Sequence, residues 1–252
     1  MFEYILYKMS YNYRSVLYKD YYQNQSGRAF QLQIEEKMKN DANLFSAEIL
    51  PLLPKDKSIK ILDIGCGFGS LIKLLKDSGY TNLTGIDLSE SQVAIAHQFG
   101  LSEVQVNDIN NFLSTKENTY DVITGVDIIE HFSKDELIDL LEIIKKSLRP
   151  SGIAIFRTPN NDAPFATIYS RGDFTHENYL NGSSAEQLML SMGFCEIVVK
   201  ESHIVVLGFL KEILRNILWK IYTFKVKLIL FSSGRGTKNV LLSPNMIIKV
   251  KK

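Results

Sequence analysis

The sequence predicts an α/β domain built on a mainly parallel sheet. Short apolar stretches rich in β-branched residues alternate with segments of helical periodicity. Glycines at alternate positions, Gly65, Gly67 and Gly69, follow the first such stretch, and the first three stretches each run into an aspartate, at Asp63, Asp87 and Asp108. Alternation of this kind builds βαβ units, which cross over right-handed. A chain of 252 residues with 45% apolar content can bury one sizeable core.

In chain order, residues 1–27 are rich in tyrosine (Tyr4, Tyr7, Tyr11, Tyr13, Tyr18, Tyr21 and Tyr22). They read either as a lid that stacks on a ligand and excludes water or as a helix packed on the sheet edge, with Arg14 and Arg28 as candidate anionic anchors. A helical pattern through Phe30, Ile34, Met38, Leu44 and Phe45 stops near Pro51 and Pro54. Strands are predicted over 59–64, 82–86, 103–106, 120–125, 151–157, 194–200 and 240–249, and helices over 68–78, 89–99, 134–148 and 183–192. The loop 158–181 and the apolar-basic stretch 204–231 fall outside this alternation. The expected organisation is an N-terminal helical lid (1–50), a core (51–203), a helical insertion (204–234) and a last strand (235–252).

A formal net charge of +1 gives no global argument for nucleic-acid binding. Cys66 and Cys195 are the two cysteines, too few for a disulfide framework or a cysteine-rich zinc site. The N-terminus lacks the basic flank, long apolar run and small-residue cleavage site of a secretory signal, so a cytoplasmic protein is expected.

The run Ile61-Leu62-Asp63-Ile64-Gly65-Cys66-Gly67-Phe68-Gly69 hands a strand over to a helix N-terminus. Glycines there let a ligand approach bare backbone N–H groups. Asp63 puts a carboxylate beside that opening, which suits an ammonium or sulfonium ligand better than a phosphate. The dinucleotide fingerprint is G-x-G-x-x-G; here the third glycine, Gly69, comes one residue early. S-adenosylmethionine is therefore the expected cofactor. Asp87 closes the second strand roughly 20 residues later, where an acid can accept hydrogen bonds from ribose hydroxyls. Asn107-Asp108-Ile109 offers polar groups to an adenine edge and an aliphatic side chain to its face.

With these segments, and with Gly85-Ile86-Asp87-Leu88-Ser89 and Leu148-Arg149-Pro150-Ser151-Gly152, the chain resembles the class I S-adenosylmethionine-dependent methyltransferases over about residues 40–200. The resemblance implies a Rossmann-like, seven-stranded mixed sheet of order 3-2-1-4-5-7-6, with helices on both faces and an antiparallel seventh strand. It implies that Asp63, Gly65, Cys66, Gly67 and Gly69 hold the methionine moiety. By the same carry-over Asp87 takes the ribose hydroxyls, while Leu88, Asp108 and Ile109 surround adenine.

The fourth strand leads into Gly125-Val126-Asp127-Ile128-Ile129-Glu130-His131-Phe132, with two carboxylates and an imidazole in five positions. Such a set suits magnesium, manganese or iron. The segment resembles the E-x-x-E-H of ubiquinone-pathway O-methyltransferases and small-RNA 3′-end 2′-O-methyltransferases, with Asp127 for the first glutamate and His176 as the later histidine. That resemblance implies that Asp127, Glu130, His131 and His176 bind a divalent cation, and they are the candidate catalytic residues. Acid/base or positioning work without metal is the equal alternative, and a purely structural His131 is the third.

The polar loop residues Arg157, Asn160, Asn161, Arg171, Asp173 and His176 suit a hydroxyl-rich or anionic acceptor. Asp173-Phe174-Thr175-His176 and Gly193-Phe194 also resemble methyltransferases of bacterial capsule and O-antigen clusters. O-methylation of a sugar or nucleotide-linked precursor of a cell-surface polysaccharide is thus the first expectation. O- or N-methylation of a small metabolite such as a quinone precursor is the alternative. A nicotinamide-dependent oxidoreductase is disfavoured by the glycine spacing and Asp63, and a non-catalytic partner of a membrane glycan assembly by the intact polar sets at 127–131 and 173–178.

Within 204–231, Leu207, Leu210, Leu214, Ile217, Ile221, Phe224 and Leu228 recur at helical spacing, with Lys211, Arg215, Lys220, Lys225 and Lys227 between them. The recurrent charges argue against a membrane-spanning helix. The segment is expected to cover the substrate pocket or form a homodimer face. Peripheral contact with the inner membrane surface is the other reading.

Overall fold

The computed structural model describes residues 13–17, 31–204, 208–234, 236 and 240–252. Most of the expected tyrosine-rich lid, with Arg28 and Leu207, lies outside them. The N-terminal part comprises α1 (Tyr13–Leu17) and α2 (Gln31–Glu48). The alternating part runs β1 (Lys60–Ile64), α3 (Ser70–Asp77), β2 (Asn82–Asp87), α4 (Glu90–Gln98), β3 (Val104–Val106), α5 (Ile109–Leu113) and β4 (Tyr120–Val126). Next come α6 (Lys134–Ser147), β5 (Leu148–Pro159), α7 (Ala166–Ser170), α8 (Gly182–Ser191), β6 (Cys195–Glu201), α9 (Phe209–Ser232) and β7 (Asn245–Lys251).

The seven strands form one sheet of order β3-β2-β1-β4-β5-β7-β6. β1 to β5 pair in parallel, and β7 runs antiparallel between β5 and β6. This is the mixed sheet and strand order that the family resemblance implied. Neighbouring residues along a strand serve opposite layers, because side chains alternate across the pleat. Ile61, Val122 and Ile155 join one core with Phe45 of α2, Leu71 and Leu75 of α3, and Val93 of α4. Leu62, Ile123 and Phe156 join the other with Leu140 and Ile144 of α6 and Met189 of α8. Burial on both faces explains why the strands read as continuous apolar runs rather than as polar–apolar alternation.

Local signals fix where the helices begin. Ser133 and Glu136 close a capping box on α6, and Asn181 and Ser184 do the same for α8. Asp108 caps α5 by accepting from the N–H of Asn111 at 2.9 Å. The last strand begins at Asn245 rather than near 240, and the stretch expected as loop between 158 and 181 holds the short α7. Among the described residues, no helix is long and apolar enough to cross a membrane.

Candidate active site

The carboxyl ends of β1, β2, β3 and β4 meet at one edge of the sheet, where open α/β sheets leave a crevice. Gly65, Gly67 and Gly69 all adopt positive φ (62°, 55° and 81°). At Gly65 a Cβ would stand 2.7 Å from Ile128 Cδ1, so the turn after β1 can pass beneath the β4 segment only as glycine. Gly69 lies behind this turn, against Leu101 and Val104.

Two adjoining cavities open from the turn. The first, of about 310 Å³, is lined by Gly65, Gly67, Asp87, Leu88, Asp108, Ile109, Asp127 and His131, together with Arg14, Gln92, Ile128, Phe132 and Glu136. The second, of about 510 Å³, is lined by Asp63, Gly65, Cys66, Gly67, Ser70, Asp127 and Arg157, with Lys37 and Asp41 of α2. Gly65, Gly67, Gln92 and Asp127 belong to both. Each expected cofactor residue except Gly69 thus lines one cavity or both.

The acids differ in their settings. Asp63 is buried, and Thr124, its neighbour across the β1–β4 register, donates a hydrogen bond to its Oδ1 at 2.7 Å. Burial pushes its carboxyl up to about 7, against the pull of that hydrogen bond. Asp87 accepts from the N–H groups of Gly67 and Ser89, each at 2.8 Å, and so ties the glycine turn to the start of α4. Burial raises its pKa as well.

A second constellation forms where β4 ends. Glu130 and His131 lie in a turn of 3₁₀ helix, Ile129–His131, and His176 comes from the later loop. Candidate ligand atoms of Glu130, His131 and His176 lie within 4.8 Å of one another. The two imidazole rings meet edge to face with centroids 4.8 Å apart. The loop is held here by the N–H groups of Glu177 and Asn178, which donate to the Glu130 carbonyl at 2.8 and 3.2 Å. The Asn178 side chain donates to the carbonyls of Ile129 and Phe132.

Hydrogen bonding fixes both tautomers. Thr175 donates its hydroxyl proton to Asp173 Oδ1 at 2.6 Å, because a carboxylate can only accept. Its oxygen, 2.8 Å from His131 Nδ1, therefore accepts from that nitrogen. The Nδ1 of His176 donates to the Ser170 carbonyl at 2.9 Å. Both rings in their neutral form thus carry the lone pair on Nε2. Burial holds His131 down at about 4, so it is neutral at physiological pH. Burial, with the charge of Asp127 adding to it, lifts Glu130 well above the ordinary carboxylate range, and Thr158 donates to its Oε2 at 3.0 Å.

Asp127 does not join this group. It sits at φ 50° and forms an ion pair with Arg157, which stands opposite the preceding residue, Val126, in the β4–β5 register. Arg157 also approaches Glu48 of α2 at 3.3 Å. Arg14, considered as an anionic anchor, makes two 2.6 Å contacts to Glu136 and one of 3.0 Å to the His131 carbonyl. This pins α1 beside the first cavity. Sequence reasoning did not single out Gln92, Thr124, Thr158, Thr175 or Glu136, since each gains its role from a partner on another element or turn.

A family profile described as methyltransferase domain matches residues 34–198. The chain belongs to this methyltransferase family. Among curated relatives, the ubiquinone biosynthesis O-methyltransferase of Hydrogenovibrio crunogenus is 30% identical over 149 residues, covering 53% of this chain and 61% of that protein. The chain spans about half the length of the curated relatives it matches. A crystal structure of an S-adenosylmethionine-dependent methyltransferase from Archaeoglobus fulgidus superposes with a TM-score of 0.63 at 21% identity, covering 89% of this methyltransferase and all of that chain. Phosphoethanolamine N-methyltransferase 2 of Haemonchus contortus, in complex with S-adenosyl-L-methionine, superposes at 0.56 and 19% identity, covering 83% of this chain and 52% of its own. These two structures share the fold of this methyltransferase.

Proposed function

We propose that this methyltransferase transfers a methyl group from S-adenosylmethionine to a hydroxyl of a small, largely apolar metabolite of the quinone-precursor kind. The carrying observation is the neutral, buried His131 on the wall of the first cavity, grouped with Glu130 and His176. The cofactor fits the residues present. Gly65 and Gly67 present bare backbone to both cavities, Asp63 supplies a buried carboxylate for a cationic methionine moiety, and Asp87 and Asp108 stand along the nucleoside side. When bound, it supplies an electrophilic methyl on a positively charged sulfur.

The protein's own residues account for the rest. Phe132 and Ile128 provide apolar wall on which a planar acceptor can be aligned, and alignment supplies much of the rate. His131, held as a neutral imidazole, can accept a hydrogen bond from an acceptor hydroxyl at Nε2 and so orient its oxygen. In place of that role, Glu130, His131 and His176 fit a divalent cation, because a hard oxygen and two oriented imidazoles converge there. Such an ion would lower the acceptor hydroxyl's pKa.

The sugar-linked precursor expected from the loop chemistry has weaker support. Asn160 is buried and donates to the carbonyls of Leu241 and Ser243, Asp173 accepts from Thr175, and Arg157 is paired with Asp127. Each of those groups is engaged by the protein's own polar atoms. The names of the ubiquinone-pathway relatives favour the quinone-type acceptor.

The test is methyl transfer by purified protein from S-adenosylmethionine to a panel of catechols, phenols, nucleotide sugars and amines, read by product mass. Methylated catechol or phenol supports the reading, and exclusive methylation of sugars or amines overturns it. Activity that falls on dialysis against a chelator and returns with magnesium, manganese or iron supports the cation. Activity unchanged after complete metal removal overturns it.

A further inference from the structure

Helix α9 is 24 residues long, about 36 Å at the usual helical rise. It stands between β6 and β7 in the chain, and none of its side chains is buried among the described residues. At 3.6 residues per turn, Leu210, Ile213, Ile217, Ile221, Phe224 and Leu228 fall within one arc of about 80°. Leu210 is 79% exposed and Phe224 67%. Lys220 and Lys227 border this arc on one side and Lys225 on the other, while Lys211 lies on the groove side. Glu212 is the one acidic residue of the helix, and it is paired with Arg215. A different face, with Leu218, Trp219 and Tyr222, lines a groove with Phe165 and Tyr169 of the α7 region and with Leu242 and Pro244. The groove side thus faces the protein, and the lysine-bordered arc faces outward.

We propose that the outward arc of α9 docks in the plane of a lipid bilayer that carries anionic headgroups. The apolar arc matches the depth of the acyl boundary, and lysines on both borders can extend their ammonium groups to headgroups while their stems cover apolar surface. A second copy of this chain is the poorer occupant, because face-to-face pairing brings identical lysine rows together. Phe165, across the groove from α9, and Ile168 of α7 are 76% and 64% exposed. The same short α7 supplies the Ser170 carbonyl that orients His176. This inference concerns where the enzyme works and stands apart from its acceptor chemistry.

The experiment is co-sedimentation of the full chain with vesicles of phosphatidylcholine alone and of phosphatidylcholine with phosphatidylglycerol, at low and high salt. The full chain is expected to sediment with the anionic vesicles at low salt and to be released at high salt. Replacing Lys220→Ala and Lys227→Ala together is expected to weaken binding about 30-fold, given the usual contribution of each lysine near an anionic surface. Ile217→Ser with Ile221→Ser, two exposed positions, is expected to weaken it about tenfold or more with the circular-dichroism melting curve unchanged. Failure to sediment with either vesicle overturns the proposal, as does binding indifferent to lipid charge. A dimer that buries α9 and ignores vesicles overturns it in favour of a second copy.

Discussion

Thr175 Oγ1 stands 2.8 Å from His131 Nδ1, and that contact decides which nitrogen of the ring bears the proton. The hydroxyl spends its own hydrogen on Asp173, so it can only receive from the imidazole. A residue on a distant loop thereby sets the chemistry of a ring at the end of β4.

Thr175→Val removes that acceptor while keeping the shape. Turnover should fall roughly 10–100-fold, the usual cost of losing a partner that orients an imidazole. The donor's Kd should stay within about twofold, since Thr175 lines neither cofactor cavity. Steady-state kinetics and calorimetry on the same preparation check both halves. Unchanged turnover in a folded variant would contradict the tautomer assignment.

Asp63 makes donor binding depend on pH. Its carboxyl titrates near 7 in the folded protein, so ionisation rises about tenfold between pH 6 and 8. Affinity for S-adenosylmethionine should rise by up to that factor over the same window. The stability of the free protein should follow the opposite trend. With its folded pKa above the ordinary 3.8, Asp63 favours the folded state fully below about pH 4, and this is lost as pH climbs through 7. Asp63→Asn should flatten that decline, stabilise the free protein at pH 8 by about 2–4 kcal/mol and abolish most donor binding. Melting curves and titration calorimetry across pH read each effect.

Gly65→Ala combines two penalties. The residue holds φ at 62°, and its new methyl would meet Ile128 Cδ1 at 2.7 Å. A loss of about 1–3 kcal/mol is expected in urea unfolding, with weaker donor binding. Adding Ile128→Ala should relieve the collision but not the backbone strain, so recovery should be partial.

Arg157→Met should cost about 2–4 kcal/mol, because it strips a largely buried cation from beside the buried Glu48, whereas its other partner, Asp127, is half-exposed. Glu48 is 2% exposed and keeps hydrogen bonds from Ser202 and the N–H of His203, but its second oxygen would face no charge. Glu48→Gln in the same chain should restore part of the loss. Equilibrium unfolding of both variants decides it.

Much of the architecture was legible because both faces of the sheet are buried and each strand is therefore a continuous apolar run. The N-caps at Ser133 and Asn181 stand next to the helices they start, so local reading reached those ends to within a few residues. The five-residue α5 and α7 were not legible, being too short to display a period. At the site, the glycine turn and its acids are contiguous in sequence and could be read. The pairing of Asp127 with Arg157 could not, since it follows from the register that sets Val126 beside Arg157. For the same reason the sequence grouped Asp127 with Glu130 and His131 by proximity along the chain, whereas the structure turns its carboxylate toward β5.

β7 occupies an interior place in the sheet although it is made after every other strand. During synthesis, β5 and β6 emerge with no bridge between them, and their facing edges stay open until residues 245–251 clear the ribosome. A nascent chain stalled before that point presents two unsatisfied ladders, a form open to wrong pairing with neighbouring chains. Ribosome-bound intermediates halted in the α9 region should therefore depend on chaperones more than chains released with β7 inserted.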